Sequence, residues 1–94
     1  VWTPLALDDL RSIGDYMSRD SPEAARRLAE TLKKSVLRLA RFPRSGREVP
    51  EFRSTNLREI IVGTYRIVFE SRNRDVVVLR VWHGKRDLAD SPWR

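Results

Sequence analysis

Residues 57–88 read LREIIVGTYRIVFESRNRDVVVLRVWHGKRDL, and their register decides which side chains can act together. Three β-rich runs are separated by two polar breaks, and the third runs into a basic ending. Gly63-Thr64 divides the first two runs. A two-residue loop that opens with Gly suits a type II′ hairpin, whose twist matches its flanking strands. Such a turn pairs Val62 with Tyr65, Ile61 with Arg66, Ile60 with Ile67 and Glu59 with Val68. The second break, Ser71 to Asp75, is polar and carries Asn73. A symmetric loop there sets Phe69 against Val77, Ile67 against Leu79 and Tyr65 against Val81.

Side chains alternate across a sheet, so this register defines two faces. One collects Ile60, Val62, Tyr65, Ile67, Phe69, Val77, Leu79 and Val81, an apolar set that something must cover. The other collects Glu59, Ile61, Arg66, Val68, Glu70, Val76, Val78, Arg80 and Trp82. Here Arg66 and Arg80 fall directly opposite each other, and like charges in that position repel. Two readings follow: Glu59, diagonal to Arg66, neutralises it as a structural ion pair, or an anion or partner lies over the arginines. A slip of one residue in either loop moves these side chains to the other face.

The rest of the chain supplies the cover. Thr3 is a suitable N-cap and Pro4 a suitable first helical residue, and Ala6, Leu10, Ile13 and Met17 recur at helical spacing. The pattern predicts a helix over Pro4 to Ser18, preceded by the end of a short strand at Val1 to Thr3. Its Asp8, Asp9 and Asp15 read as solvated charges. Ser21 caps a second helix, Pro22 sits in its first turn, and it runs to about Phe42, before Pro43. Ala25, Leu28, Ala29, Leu32, Val36, Leu39 and Ala40 form one apolar stripe, with six basic residues largely off it. A short break between amphipathic helices predicts an antiparallel hairpin whose joint apolar face covers the sheet. Pro43 to Asn56 is a long polar loop in which Val49 is placed to pair briefly with the sheet and Glu51 reads as a solvated carboxylate. The fold class is therefore α+β: an N-terminal antiparallel helical hairpin on one face of a small antiparallel sheet, one domain over residues 1–94.

Composition narrows the function classes. With 40% hydrophobic and 34% charged residues, the chain is of the soluble globular type rather than disordered. It has no cysteine, which excludes disulfides and thiolate metal sites, and one histidine, so neither a metal nor a cofactor is expected. No apolar run approaches a membrane span and no signal-peptide pattern appears, so a cytoplasmic location is expected. The chain starts at Val1 rather than Met, which leaves a native start upstream open. A net charge of +6 favours an acidic partner, nucleic acid or protein.

Several fragments, in order along almost the whole chain, carry a family resemblance. They are Trp2-Thr3-Pro4 with Ala6 and Asp9-Leu10, Ser21-Pro22 with Ala24-Ala25, and Pro43 with Gly46-Arg47 and Pro50-Glu51. Leu57-Arg58-Glu59, Tyr65-Arg66-Ile67 and Val81-Trp82-His83-Gly84-Lys85-Arg86-Asp87 complete the set. Together they resemble the ParE/RelE superfamily of bacterial toxins from type II toxin–antitoxin systems. The resemblance implies the same α+β fold, an antitoxin that wraps the toxin, and one of two activities. ParE-like members inhibit DNA gyrase by binding it; RelE-like members cut mRNA on the ribosome.

RNA cleavage through a 2′-hydroxyl needs a base, an acid and cations on the developing phosphorane. The candidates are Glu51 or Glu59 as base, Arg66 and Arg80 as stabilisers and His83 as acid; Arg66 and His83 look similar to positions that ribonuclease relatives use. Against this, those relatives commonly carry a tyrosine or a dense basic set near the end of the last strand. Here Gly84 follows His83, Tyr65 faces the core and Tyr16 lies on the first helix. The His-Gly-Lys-Arg-Asp-Leu ending looks more like the ParE side, which points to a gyrase inhibitor with His83, Lys85 and Arg86 as target-binding residues. Ile61, Arg66, Val68, Val78, Arg80 and Trp82, with Val76, are expected to form a bare, partly apolar face for an acidic, amphipathic antitoxin segment. The expected assembly is a hetero-oligomer with that antitoxin.

Overall fold

The computed structural model describes residues 1–52, 56–72 and 75–83. Two helices, α1 (Pro4–Ser18) and α2 (Pro22–Arg41), precede four strands: β1 (Arg47–Glu48), β2 (Leu57–Val62), β3 (Tyr65–Arg72) and β4 (Asp75–His83). The strands form one antiparallel sheet in sequential order, β1-β2-β3-β4. Short 3₁₀ turns at Pro43–Ser45 and Pro50–Phe52 flank β1.

Both helices start where their caps require. The Thr3 hydroxyl accepts a bond from the Ala6 N–H and that of Ser21 one from Ala24, with a proline next in each case. Each cap satisfies an N–H that the helix itself cannot. Leu32 and Val36 of α2 then meet Ala6 of α1 and Ile67, Val78 and Val81 of the sheet in one buried cluster. Leu39 continues it onto Phe69 and Val76. Ala40, expected in the α2 stripe, is exposed.

The first hairpin has the expected register, from Val62↔Tyr65 to Glu59↔Val68, and Gly63 holds a φ of +60° at its turn. That left-handed conformation carries no steric penalty without a Cβ. The second hairpin differs. Pairing continues through Ser71↔Val76 to Arg72↔Asp75, so the connection shrinks to positions 73 and 74. Ser71, Arg72 and Asp75, read as loop, are strand residues. Phe69 therefore faces Val78, not Val77.

A bulge follows. Phe69 pairs with Val78 and Val68 with Arg80, leaving Leu79 without a residue opposite. The extra residue inverts the alternation of β4. Val76 and Val78 turn to the helices and Val77 and Leu79 away from them, the reverse of the expected assignment. From Arg80 onward the expected faces return, but with shifted partners: Ile67↔Val81, Arg66↔Trp82 and Tyr65↔His83. Arg66 and Arg80 are not opposite each other. Thr3 ties the bulge to the start of α1, because its hydroxyl also donates to the Leu79 carbonyl at 3.1 Å. The residues before it run beside β4, with Trp2 bridging Val78 in parallel and the Thr3 N–H donating to the Val78 carbonyl.

The second face of the sheet is not bare. Val49 and Phe52, from the segment after α2, pack on Leu57, Val68, Leu79 and Trp82. Val49 is itself buried and follows the two-residue β1, so the expected brief pairing with the sheet is present one residue earlier. No described helix is long and apolar enough to cross a membrane.

Candidate functional site

The covering segment brings its carboxylate to the sheet. Glu51 lies in the Pro50–Phe52 turn, and both its oxygens accept from the Arg66 guanidinium at 2.8 Å. The Arg66 Nε donates to Glu59 Oε2 at 2.6 Å, and the other Glu59 oxygen accepts from Arg47 Nε at 3.0 Å. Arg47, Glu59, Arg66 and Glu51 thus form a chain of alternating sign. Glu59 is fully buried and Arg66 nearly so. A buried charge persists only when paired and hydrogen-bonded, and this arrangement meets that condition for both. The Arg66 pKa is raised above its ordinary value, chiefly by the Glu51 hydrogen bonds and next by Glu59, against the desolvation that lowers it. Of the two readings of Arg66, the structural ion pair with Glu59 is the one present. Glu51 is no solvated loop carboxylate.

Arg80 has a separate partner. Its Nε and a terminal nitrogen donate to the two Asp9 oxygens at 2.6 and 2.8 Å. Asp9 also accepts from the Val81 N–H at 2.9 Å, so one carboxylate joins α1 to the strand just past the bulge. The Arg80 guanidinium lies 4.3 Å from the Trp82 ring centroid. Asp9 read as solvated in the sequence. Its signal was its place on the helix, three residues from Ala6 and four from Ile13, both of which pack on the core.

His83 ends β4 opposite Tyr65, on the helix side of the sheet, while Arg66 lies on the other side. Its ring meets that of Tyr65 edge-on, with centroids 5.9 Å apart. His83 and Tyr65 line a cavity of about 280 Å³ with Asp9, Ser12, Ile13 and Tyr16 of α1. Tyr16 is 73% exposed. Sequence distance had set the tyrosines apart from His83; the β3–β4 pairing brings Tyr65 to it, and the packing of α1 on β4 brings Tyr16.

Of the candidate catalytic residues, Glu51, Glu59 and Arg66 are therefore together, Arg80 is held by Asp9, and His83 stands on the opposite face. Of the residues expected to receive an antitoxin, Ile61 is 50% exposed, whereas Arg66, Val68, Val78, Arg80 and Trp82 are buried. Lys85 and Arg86, expected to bind the target, lie outside the described residues, as does the tail with Trp93.

The model of the ParE toxin of type II toxin–antitoxin systems, parDE, matches residues 1–88. Toxin RelE2 of Caulobacter vibrioides is 38% identical over 87 residues, covering 92% of this chain and 94% of that one. The putative toxin Y4kP of Sinorhizobium fredii is 36% identical over 84 residues, covering 88% and 84%. Among solved structures, the chromosomal ParDE TA system from P. aeruginosa superposes with a TM-score of 0.72 at 22% identity, covering 87% of this chain and 90% of that one. The RelB–RelE antitoxin–toxin complex from Methanococcus jannaschii gives a TM-score of 0.56 at 16% identity, covering 90% and 91%. At these identities the two superpositions speak to the fold alone.

Proposed function

Because this chain belongs to the ParE toxin family of type II toxin–antitoxin systems, we propose that it acts in the cytoplasm by binding and inhibiting DNA gyrase, and that an acidic antitoxin neutralises it in a hetero-oligomer. The observation that carries the binding mode is the separation of the groups a nuclease would need. A general base must accept a proton, yet both oxygens of Glu59 and of Glu51 accept from arginine N–H groups. Arg66, so engaged, and His83 lie on opposite faces of the sheet. This placement is not the one that acid–base attack on a single phosphate calls for. The basic ending, with Lys85 and Arg86 beside His83, is the proposed target-binding element, and the net charge of +6 suits an acidic neutralising partner.

Ribosome-dependent mRNA cleavage is the second reading. It is favoured by one observation: exposed His83 shares a cavity with Tyr65 and Tyr16. A histidine and phenols can exchange protons with a bound RNA. DNA supercoiling by purified gyrase tests the first reading directly. Inhibition, or trapped cleaved DNA, by the partner-free protein is expected, weakened when Lys85→Ala and Arg86→Ala are combined. A folded sample that leaves gyrase unaffected but cleaves ribosome-bound mRNA, and loses that activity on His83→Ala, would establish the second reading instead.

A further inference from the structure

The outward face of α2 carries a row of cations. At about 100° per residue, Arg27, Lys34, Arg38 and Arg41 fall within about 60° of arc, spread over about 21 Å of the helix axis. The buried Ala25, Leu32, Val36 and Leu39 lie on the opposite side. All four cations are exposed. Among the described residues none of them is in an ion pair, whereas Arg47, Arg66, Arg72 and Arg80 of the sheet each hold a carboxylate. The carboxylates of α2, Glu23 and Glu30, both precede Lys34, so its last turns add only positive charge. The helix dipole favours cations in the last turn, which accounts for Arg38 and Arg41 but not for Arg27 and Lys34.

The row continues past the helix. Arg38 shares a cavity of about 310 Å³ with Ser45. Arg44, next to Ser45 in sequence, is likewise exposed and in no ion pair among the described residues. With Arg58, Asn56 and Ser71 it lines a cavity of about 550 Å³ that has no carboxylate among the described residues. The chemistry of the arc selects its ligand. Between Arg27 and Arg41 it holds Thr31, with Glu30 at its border, and no apolar side chain. A surface for an acidic protein would instead surround an apolar centre with charge. It also has no aromatic ring on which the bases of a single strand could stack. Contacts to phosphates alone need only cations, and duplex DNA offers one charge per about 1.7 Å of its axis, so such a row meets several at once. A second copy of this chain would bring like charges together.

We propose that the outward face of α2 binds the phosphate backbone of duplex DNA, independently of sequence, through Arg27, Lys34, Arg38, Arg41 and Arg44. The choice of DNA over RNA rests on the gyrase reading, whose own failure shows in the supercoiling assay. Fluorescence anisotropy of a labelled mixed-sequence duplex, titrated with the partner-free protein over a potassium chloride series, tests the proposal. The logarithm of the binding constant should fall against that of salt with a slope of about −4, and a duplex of unrelated sequence should bind within about twofold. Lys34→Ala combined with Arg38→Ala should reduce the slope by about 2. Arg26→Ala combined with Lys33→Ala removes the same charge from exposed positions off the row and should change it by less than about 1. Alanine favours the helix, and unchanged circular dichroism shows that α2 persists. Equal losses from both pairs would assign the affinity to net charge and overturn the row as a site. Tighter binding of a single strand, or of duplex RNA, overturns the choice of ligand. Polyglutamate that displaces the duplex at matched charge makes this a surface for acidic protein, and no binding by the folded chain at low salt overturns the proposal outright.

Discussion

On the helix side of the sheet, Ile67, Phe69, Val78 and Val81 pack on apolar side chains from α1 and α2. On the other side, Val49, Leu57, Val68, Leu79 and Trp82 share their layer with buried Glu59, Arg66 and Arg80. One β-ribbon thus carries two interiors of different chemistry. The apolar one is held by burial, which is non-directional and scales with area. The mixed one is held by hydrogen bonds that must all be present together, because a lone buried charge is strongly unfavourable. The apolar face should accordingly degrade in proportion to volume lost, and the mixed face abruptly when one partner goes.

The sharpest way to break that comparison is Glu59→Ala, which strips Arg66 and Arg47 of a shared partner at once. A loss of about 3–5 kcal/mol is expected by urea denaturation, with much of it restored when Arg66→Met is added. A loss below about 1 kcal/mol would mean that water replaces the carboxylate and that this face is no true interior. Phe69→Ala should remove a similar amount, about 3–5 kcal/mol, whereas Ile67→Val should remove only about 0.5–1.5 kcal/mol. That gradation is the signature of the apolar side.

Gly46 joins the two interiors. A Cβ there would lie 2.4 Å from Phe69 Cζ and 3.2 Å from the Glu59 carbonyl oxygen. Gly46→Ala should therefore destabilise by about 1–3 kcal/mol, and less in a Phe69→Leu background. Additive effects in that double-mutant cycle would show that the ring swings aside freely. Asp9→Ala frees Arg80 and the Val81 N–H together, and about 1–3 kcal/mol should follow in thermal or urea melts. The smallest effect is expected of Thr3→Ala, about 0.5–2 kcal/mol for the cap, with faster exchange near Leu79 as the bulge loses its hydroxyl contact.

None of these effects should reverse with pH through Arg66. Its pKa is raised in the folded chain, so its contribution is fully present below the ordinary arginine pKa and fades only above it.

What the sequence determined by itself was whatever is encoded between near neighbours. Thr3-Pro4 and Ser21-Pro22 start both helices, since a cap and a first-turn proline act within one turn. Gly63-Thr64 sets the first hairpin, since loop length and a left-handed glycine select the register. That register set Glu59 diagonal to Arg66, leaving their ion pair as one of two readings, and the amphipathic helix stripes gave the cover of one sheet face. Only the tertiary structure decided the rest. The bulge at Leu79 is bonded to Thr3, far away in sequence, and it inverts the faces of Val76 to Leu79. Glu51 reaches Arg66, and Val49 reaches Trp82, only because the segment after α2 folds over the sheet. Asp9 meets Arg80, and Tyr16 comes beside His83, only through the packing of α1 on β4. Local signals fix backbone geometry over a few residues, but the partner of a buried charge is chosen by whichever distant segment covers it.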